Sequence, residues 1–309
     1  MTDTGHFWLT RESAGNTDLL AETPCYLTDI TEHLNKERVI ISGNLGCMKI
    51  FIYESGISIR GSLSKYFLDD NFQTLFRSDI QRAIEQMSDE IHLPVMESKV
   101  TRIDIAQNFI TNYKPECYYD LFGECRYFSR LIQPQSLYYS NNNRIKVFYN
   151  KIIEGKKKGY VIPDIWHNSY VLRYEYRLKA KALTIPGRNT LKAGDLYDEQ
   201  VYIYLVNEYV KEYENINKLH YIKFNLENMK TPNDFLTQLA LKKIQELGQN
   251  EVMTMIEDLR AKQVFNKKEY YSRLKGKIRE LCKQPEITES SELIDELNEK
   301  IRAVKQNYR

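Results

Sequence analysis

The sequence has no uninterrupted apolar run of about 18 residues, the length a helix needs to cross a bilayer. Its first residues, with Asp3, Thr4 and His6, lack the charged-then-apolar pattern of a secretion leader. A cytoplasmic location with no membrane partner is expected. Cysteine is sparse: the five residues Cys25, Cys47, Cys117, Cys125 and Cys282 form no CxxC pair. That excludes a full disulfide framework and zinc-site spacing, and it suits a reducing compartment. No GxxxxGK[ST] loop occurs, so no P-loop ATPase or helicase activity is indicated. No repeat of fixed period and no low-complexity tract is present. An excess of one charge is also missing, because 44 basic residues face 42 acidic ones for a net +2. Any nucleic-acid footprint must therefore be local. Two basic clusters exist, Lys156-Lys157-Lys158 and Lys267 to Lys277, and each reads equally as a solvated loop or helix face.

What the chain does have is tyrosine: 23 Tyr against 12 Phe and 2 Trp. A flat ring with a hydroxyl suits half-wet surfaces and base stacking, although codon bias in an AT-rich genome gives the same count. With 42% apolar and 28% charged residues the chain is globular. From residue 20 to about 182 short β-rich runs alternate with two helical stretches. Arg38 to Ser42 and Met48 to Tyr53 flank the turn Gly43-Asn44-Leu45-Gly46 and read as a hairpin, which Gly56 to Leu63 continues. Residues 71–91 have helical apolar spacing, with Asn71 as N-cap and Pro94 beyond the end. Val100 to Ile110 alternates as a strand, with Val100, Arg102, Asp104 and Ala106 on one face. Residues 117–131 read as a second helix. Ser136 to Tyr139 and Arg144 to Tyr149 read as strands around the turn Asn141-Asn142-Asn143, since Asn tolerates positive φ. Tyr170 to Leu178 is a further strand. The fold class is α+β, an antiparallel-rich sheet with helices on one face. A helical region follows, with amphipathic runs at about 198–213, 231–247, 250–262, 266–283 and 289–306 and with Pro232 and Pro285 at helix borders. Pro186-Gly187 marks the linker, so the expected division is 1–185 and 195–309.

Three segments carry candidate chemistry. Asp104 stands in the middle of a strand between Ile103 and Ile105, and a buried carboxylate costs several kcal/mol, order of magnitude, unless it is paired or bound to a metal. In Val171 to Leu178 the residues Arg173, Glu175 and Arg177 share one face, and Leu172, Tyr174 and Tyr176 the other. That row is either a surface ladder or a carboxylate between two phosphate-binding guanidiniums. Asp104 and Glu175 together suit a hard, oxygen-ligated Mg²⁺ or Mn²⁺. In the third segment, Arg144 to Lys151, Lys151 lies two residues after Tyr149 and so on its face. An ammonium there favours the phenolate, a nucleophile toward a phosphodiester. Equally, these tyrosines are sheet residues of a Tyr-rich protein. The five histidines never form the His-hydrophobic-His pair with which HUH nicking endonucleases hold their metal. An ion here would rest on carboxylates, with His167 as the one isolated helper.

Taken in order, these segments resemble replication proteins of the filamentous-phage gene II and gene X type. More distantly they resemble the Rep_trans initiators of small plasmids. The matching pieces are Gly61 to Tyr66, Asn71-Phe72 with its helix, Thr101 to Ala106, Ser136-Leu137-Tyr138 leading to Phe148-Tyr149-Asn150-Lys151, and Leu172 to Arg177. They span about residues 38–180, and beyond 195 the similarity is vague. Asn150 departs from the family's usual Asp, and Tyr139-Ser140 from a Gly-containing turn. The resemblance implies a nucleotidyl-transfer sheet and site-specific nicking at a replication origin. A tyrosine, Tyr149 or Tyr138, would form a 5′-phosphotyrosyl bond, with Asp104 and Glu175 on a divalent metal. Lys151 would assist, and Arg102, Arg173, Arg177, Arg144 and Lys146 would contact DNA. The helical region would contact DNA or pair two copies, with Lys267 to Arg279 as a phosphate-contacting face and a host helicase as a further partner. Three other readings stay open: a non-catalytic DNA-binding replication regulator, a conjugative relaxase, and a helical interaction protein with a β scaffold.

Overall fold

Alternation of apolar and polar residues in runs rich in Ile, Val, Phe and Tyr builds most of the first two thirds of the chain into strands. A computed structural model describes residues 1–35, 38–219, 221–222, 230–283, 288–289 and 291–308. In chain order the strands used here are β1 (Thr2–Thr10), β2 (Thr28–Asn35), β3 (Arg38–Leu45), β4 (Met48–Tyr53), β5 (Gly56–Ser62), β6 (Lys99–Thr111), β7 (Phe122–Cys125), β8 (Ser129–Gln133), β9 (Ser136–Ser140), β10 (Arg144–Asn150), β11 (Tyr170–Lys179) and β12 (Ile216–Lys218). Ten of them form one antiparallel sheet in the order β2-β3-β4-β5-β1-β6-β11-β10-β9-β8. The helices are α1 (Leu19–Glu22), α2 (Leu63–Leu68), α3 (Arg77–Ile91), α4 (Glu116–Tyr119), α5 (Lys151–Lys157), α6 (Glu199–Glu214), α7 (Pro232–Leu247), α8 (Gln249–Ala261), α9 (Lys268–Leu281) and α10 (Glu292–Asn307). The α+β architecture read from the sequence is the one found.

One face of the sheet is the core. Phe7, Ile50, Ile59, Ile105, Phe148 and Tyr174 are buried there under α3, α6 and α10, in one cluster with Ile84, Tyr209 and Ile301. The other face is largely polar. An apolar patch on it, Phe72, Ile152, Ile162 and Val171, lies under α5. The helices that follow residue 195 do not all pack together. α6 and α10 complete the sheet's core, whereas α7, α8 and α9 bury a separate cluster around Leu241, Ile256 and Tyr271. The expected linker is packed, with Ile185 and Leu191 buried and the Leu191 carbonyl accepting from Val100 N at 2.8 Å. Pro232 opens α7 behind a Thr231 capping box, as its place in the sequence implies; Pro285 lies outside the described residues.

Several local expectations are corrected. Periodicity gives no strand before residue 20, yet β1 lies inside the sheet between β5 and β6. Its pairing with β6 slips between His6 and Phe7, so Arg102 faces His6 while Val100 faces Phe7. The bulge at Thr101 turns Val100 into the core, away from Arg102 and Asp104. Residues 117–131 hold only the four-residue α4 and then β7 and β8. Arg130 fixes this corner by donating to the carbonyls of Phe122 at 3.0 Å and Tyr119 at 3.1 Å. The hairpin turn after β3 is Gly46-Cys47, because Gly43 to Leu45 pair in the strand. α3 starts at Arg77 rather than after Asn71, with Asp79 accepting from Phe76 N at 2.9 Å, and it ends at Ile91 as expected, on the left-handed cap His92. The Asn141 turn uses no positive φ; its side chain accepts from Asn143 N at 3.0 Å and Arg144 N at 2.8 Å.

Candidate active site

The alternation of β11 places Arg173, Glu175 and Arg177 on the polar face, and the neighbouring strands supply their partners. Register sets Asp104 of β6 beside Arg177, Val147 of β10 beside Glu175, and Tyr149 beside Arg173. Tyr138 of β9 sits beside Val147. A cleft of about 420 Å³ opens over them, lined by Asp104, Glu175, Arg102, Arg177, Tyr138 and Tyr149, and edged by Lys65, Lys157 and Lys158.

The charges in this cleft are tightly paired. Arg173 is buried and donates to Glu175 Oε1 at 2.8 Å, to the Asn71 carbonyl at 2.8 Å and to Asn108 Oδ1 at 3.2 Å. It also pairs with Asp3 Oδ2 at 2.8 Å. Arg177 reaches Glu175 Oε2 at 2.8 Å and Asp104 Oδ2 at 3.6 Å. Arg102 holds both oxygens of Asp104, at 2.8 and 2.5 Å. The Tyr149 hydroxyl donates to Glu175 Oε1 at 2.6 Å. Burial alone would raise the proton affinity of Glu175, but Arg173, Arg177 and the Tyr149 hydroxyl override it and hold the group at about 2. Burial pushes Asp104 upward in spite of Arg102. Burial also drives the Tyr149 phenol well above its ordinary value, with Glu175 adding to the effect and Arg173 opposing it. In the resting site Tyr149 is therefore the donor and Glu175 the acceptor.

The sequence-derived residues divide into two sets. Asp104, Glu175, Tyr149, Tyr138, Arg102 and Arg177 share the cleft. Arg144 and Lys146 lie on the opposite face: Lys146 is fully buried with Glu212 Oε2 at 2.7 Å, and Arg144 meets Glu212 Oε1 at 3.2 Å. As a DNA contact Lys146 is corrected, because no phosphate reaches a lysine buried under α6. Arg173 is corrected likewise, being enclosed by Asp3, Glu175 and Asn71. Lys151 is not in the strand with Tyr149; Asn150 caps α5 and Lys151 is its first residue. Its ammonium donates to Asn71 Oδ1 at 2.7 Å and Glu154 Oε2 at 2.9 Å. Burial, then Arg173, lowers it to about 8 against the pull of Glu154. Sequence reasoning missed Asp3, Asn71 and Asn108 as supports of Arg173. The only signal for Asn71 was its place in a matching motif, where it reads as a helix cap.

A divalent ion fits this donor set poorly as arranged. Every oxygen of Asp104 and Glu175 already faces a guanidinium. Among the described residues no group of three His, Cys, Asp or Glu is placed to hold a metal. His167 is not among the residues lining the cleft and lies beside Asp164 at 3.9 Å. In the basic stretch of α9, Lys275 meets Glu257 at 2.7 Å, and Arg279 pairs with Glu124 of β7. Among the described residues no helix is long and apolar enough to cross a membrane. A family model described as the N-terminal part of the phage replication-associated protein of gene II matches residues 1–216. No curated protein matches the chain.

Proposed function

The chain belongs to the family defined by the N-terminal region of the phage gene II replication-associated protein, and from that premise we propose that it initiates rolling-circle replication of a phage or plasmid by nicking one DNA strand with Tyr149. The observation that carries this reading is the Tyr149–Glu175 hydrogen bond of 2.6 Å inside a cleft edged by Arg102 and Arg177. Tyr149 Oη attacks the phosphorus, the P–O3′ bond breaks, and a 5′-phosphotyrosyl bond forms. The leaving oxygen takes its proton from solvent and becomes the 3′-OH primer. The phenol proton passes to Glu175. An incoming phosphate draws Arg177 toward itself and loosens its hold on Glu175, which makes that carboxylate a better acceptor when it is needed. Arg102 and Arg177, each partly exposed, stabilise the charge that develops on the phosphoryl oxygens. A second transfer from the tyrosine to a 3′-OH would close the circle.

The test is a cleavage assay on supercoiled DNA carrying the cognate origin, with Mg²⁺, with Mn²⁺ and with chelator. Wild type is run beside Tyr149→Phe, Tyr138→Phe, Glu175→Ala and Asp104→Ala, and covalent protein–DNA adducts are scored. Loss of the adduct in Tyr149→Phe with retention in Tyr138→Phe is the expected result. An adduct that survives Tyr149→Phe and vanishes in Tyr138→Phe moves the nucleophile to β9. No nick under any condition, with origin binding intact, leaves a DNA-binding regulator. Strict dependence on Mg²⁺ or Mn²⁺ would require Arg102 to leave Asp104. Pairing of two copies and a host helicase belong to the same reading; light scattering and helicase pull-down with the purified chain test them.

A further inference from the structure

Away from Tyr149, the polar face continues over β4, β5 and β1, beyond the groups assigned to nicking. Strand register lines up one row of side chains there. Lys49 pairs with Arg60, Arg60 with His6, His6 with Arg102, and Arg102 with Lys179. Directly paired residues share a face, and strands lie about 4.8 Å apart, so five basic residues form a row of roughly 20 Å that leads into the cleft at Arg102. Beside it runs a second row with Phe51 opposite Ser58 and Ser58 opposite Trp8. The Arg60 guanidinium lies 5.1 Å from the Phe51 ring, and Tyr53 extends the aromatic strip 5.7 Å from Trp8. These three rings are half-buried and belong to none of the apolar clusters formed by the described residues. The core of the same strands is on the other face, in Phe7, Ile50, Ile52, Ile57 and Ile59. Burial first, then Arg102 and Arg60, hold His6 down to about 4.

Lys49 and Arg60 in line beside half-buried aromatic rings match an unpaired strand, whose phosphates and bases are both accessible. We propose that this row is a track for single-stranded DNA, which crosses β4, β5 and β1 with its phosphates on Lys49 and Arg60 and its bases on Phe51, Trp8 and Tyr53. A duplex offers no free base faces to those rings. The proposal deepens the nicking reading by naming where the strand lies on one side of the cut.

The chain has only Trp8 and Trp166, so the Trp166→Phe protein reports from Trp8 alone. It is titrated with an oligo-dT of about 20 nucleotides and with a hairpin duplex, at several salt concentrations. Trp8 fluorescence should be quenched by the single strand and not by the duplex. Lys49→Ala/Arg60→Ala should weaken single-strand binding about tenfold or more and reduce the log–log salt slope by about 1.4, two phosphate contacts at roughly 0.7 each. Lys211→Ala, exposed on α6, should bind as wild type. Circular dichroism checks that each variant folds. Unchanged affinity in the double variant, or equal quenching by duplex, overturns the track. If the Tyr149 adduct forms while the double variant binds normally, the track fails and nicking stands. If no adduct ever forms while the double variant loses binding, nicking fails and the track stands.

Discussion

The two faces of the sheet are made by the same strands and held by different physics. On β11, Leu172, Tyr174 and Tyr176 point into the core, where Tyr174 stacks on Phe148 at 4.5 Å. One residue away in each case, Arg173, Glu175 and Arg177 point into the cleft. The core side is stabilised by apolar area and tolerates some change of shape. The polar side contains comparably buried groups that are tolerable only as a complete set. Each carboxylate there depends on a guanidinium, and Arg173 depends on Asp3, Glu175, Asn71 and Asn108 at once.

Substitutions on the two faces should separate these mechanisms. Phe148→Ala removes a ring from between Phe122 and Tyr174 and should lower unfolding free energy by about 3–5 kcal/mol, measured in urea, while the folded fraction keeps forming the DNA adduct. Arg173→Met removes almost no apolar area yet leaves Asp3 and Glu175 without their shared cation, which should cost a similar 3–5 kcal/mol, order of magnitude. Adding Glu175→Gln should restore part of that loss, and a double variant no more stable than the single one would break the comparison. The pH dependence should also come from the polar face. His6 holds its proton less tightly folded, about 4, than unfolded, about 6.5. The unfolded chain therefore binds more protons between those values, and stability should fall as pH drops from 6.5 to 4. His6→Gln should flatten that segment of the curve. Glu175, depressed to about 2, adds stability that is present above about 4.5 and lost as pH falls toward 2. Smallest of all, Arg260→Ala on α8, from an exposed pair with Glu257 at 3.6 Å, should change stability by no more than about 0.5 kcal/mol and leave the adduct untouched.

The same contrast explains what could be read in the sequence. The five late helices were legible within a few residues because a single apolar stripe at period 3.6 repeats over about four turns in each. β11 was legible because its two faces differ so sharply in chemistry. β1 was not, since Thr2 to Thr10 mixes Gly5 and several threonines with Phe7, Trp8 and a histidine, and both of its edges are paired inside the sheet. Tyr118, Phe122, Cys125 and Phe128 fall at spacings that a helix and two short strands can both satisfy, and the pairing of β7 with the distant β12 decides for the strand. In the cleft, Asp104, Glu175 and Arg177 could be placed from alternation alone. The supports of Arg173 could not, because Asp3 and Asn71 reach it from elements more than 100 residues away in sequence. The face of Lys151 was misjudged because strand alternation was carried on to Lys151, whereas β10 ends at Asn150, which caps α5.

One consequence follows from the path of the chain after α6. It leaves the sheet's core near residue 216, forms the cluster of α7, α8 and α9, and returns as α10 to cover Tyr209 and Tyr213 with Leu297 and Ile301. The family match stops at that departure point. A fragment trimmed to the matched boundary would carry every residue of the cleft and still lack a wall of its own interior, leaving a greasy furrow along α6 that invites precipitation during expression. The three intervening helices, by contrast, bury a cluster of their own and meet the first part of the chain through Lys275 and Arg279 on Glu124 of β7. A shorter bridge in their place would change the closure entropy by only about 0.6 kcal/mol per halving of length.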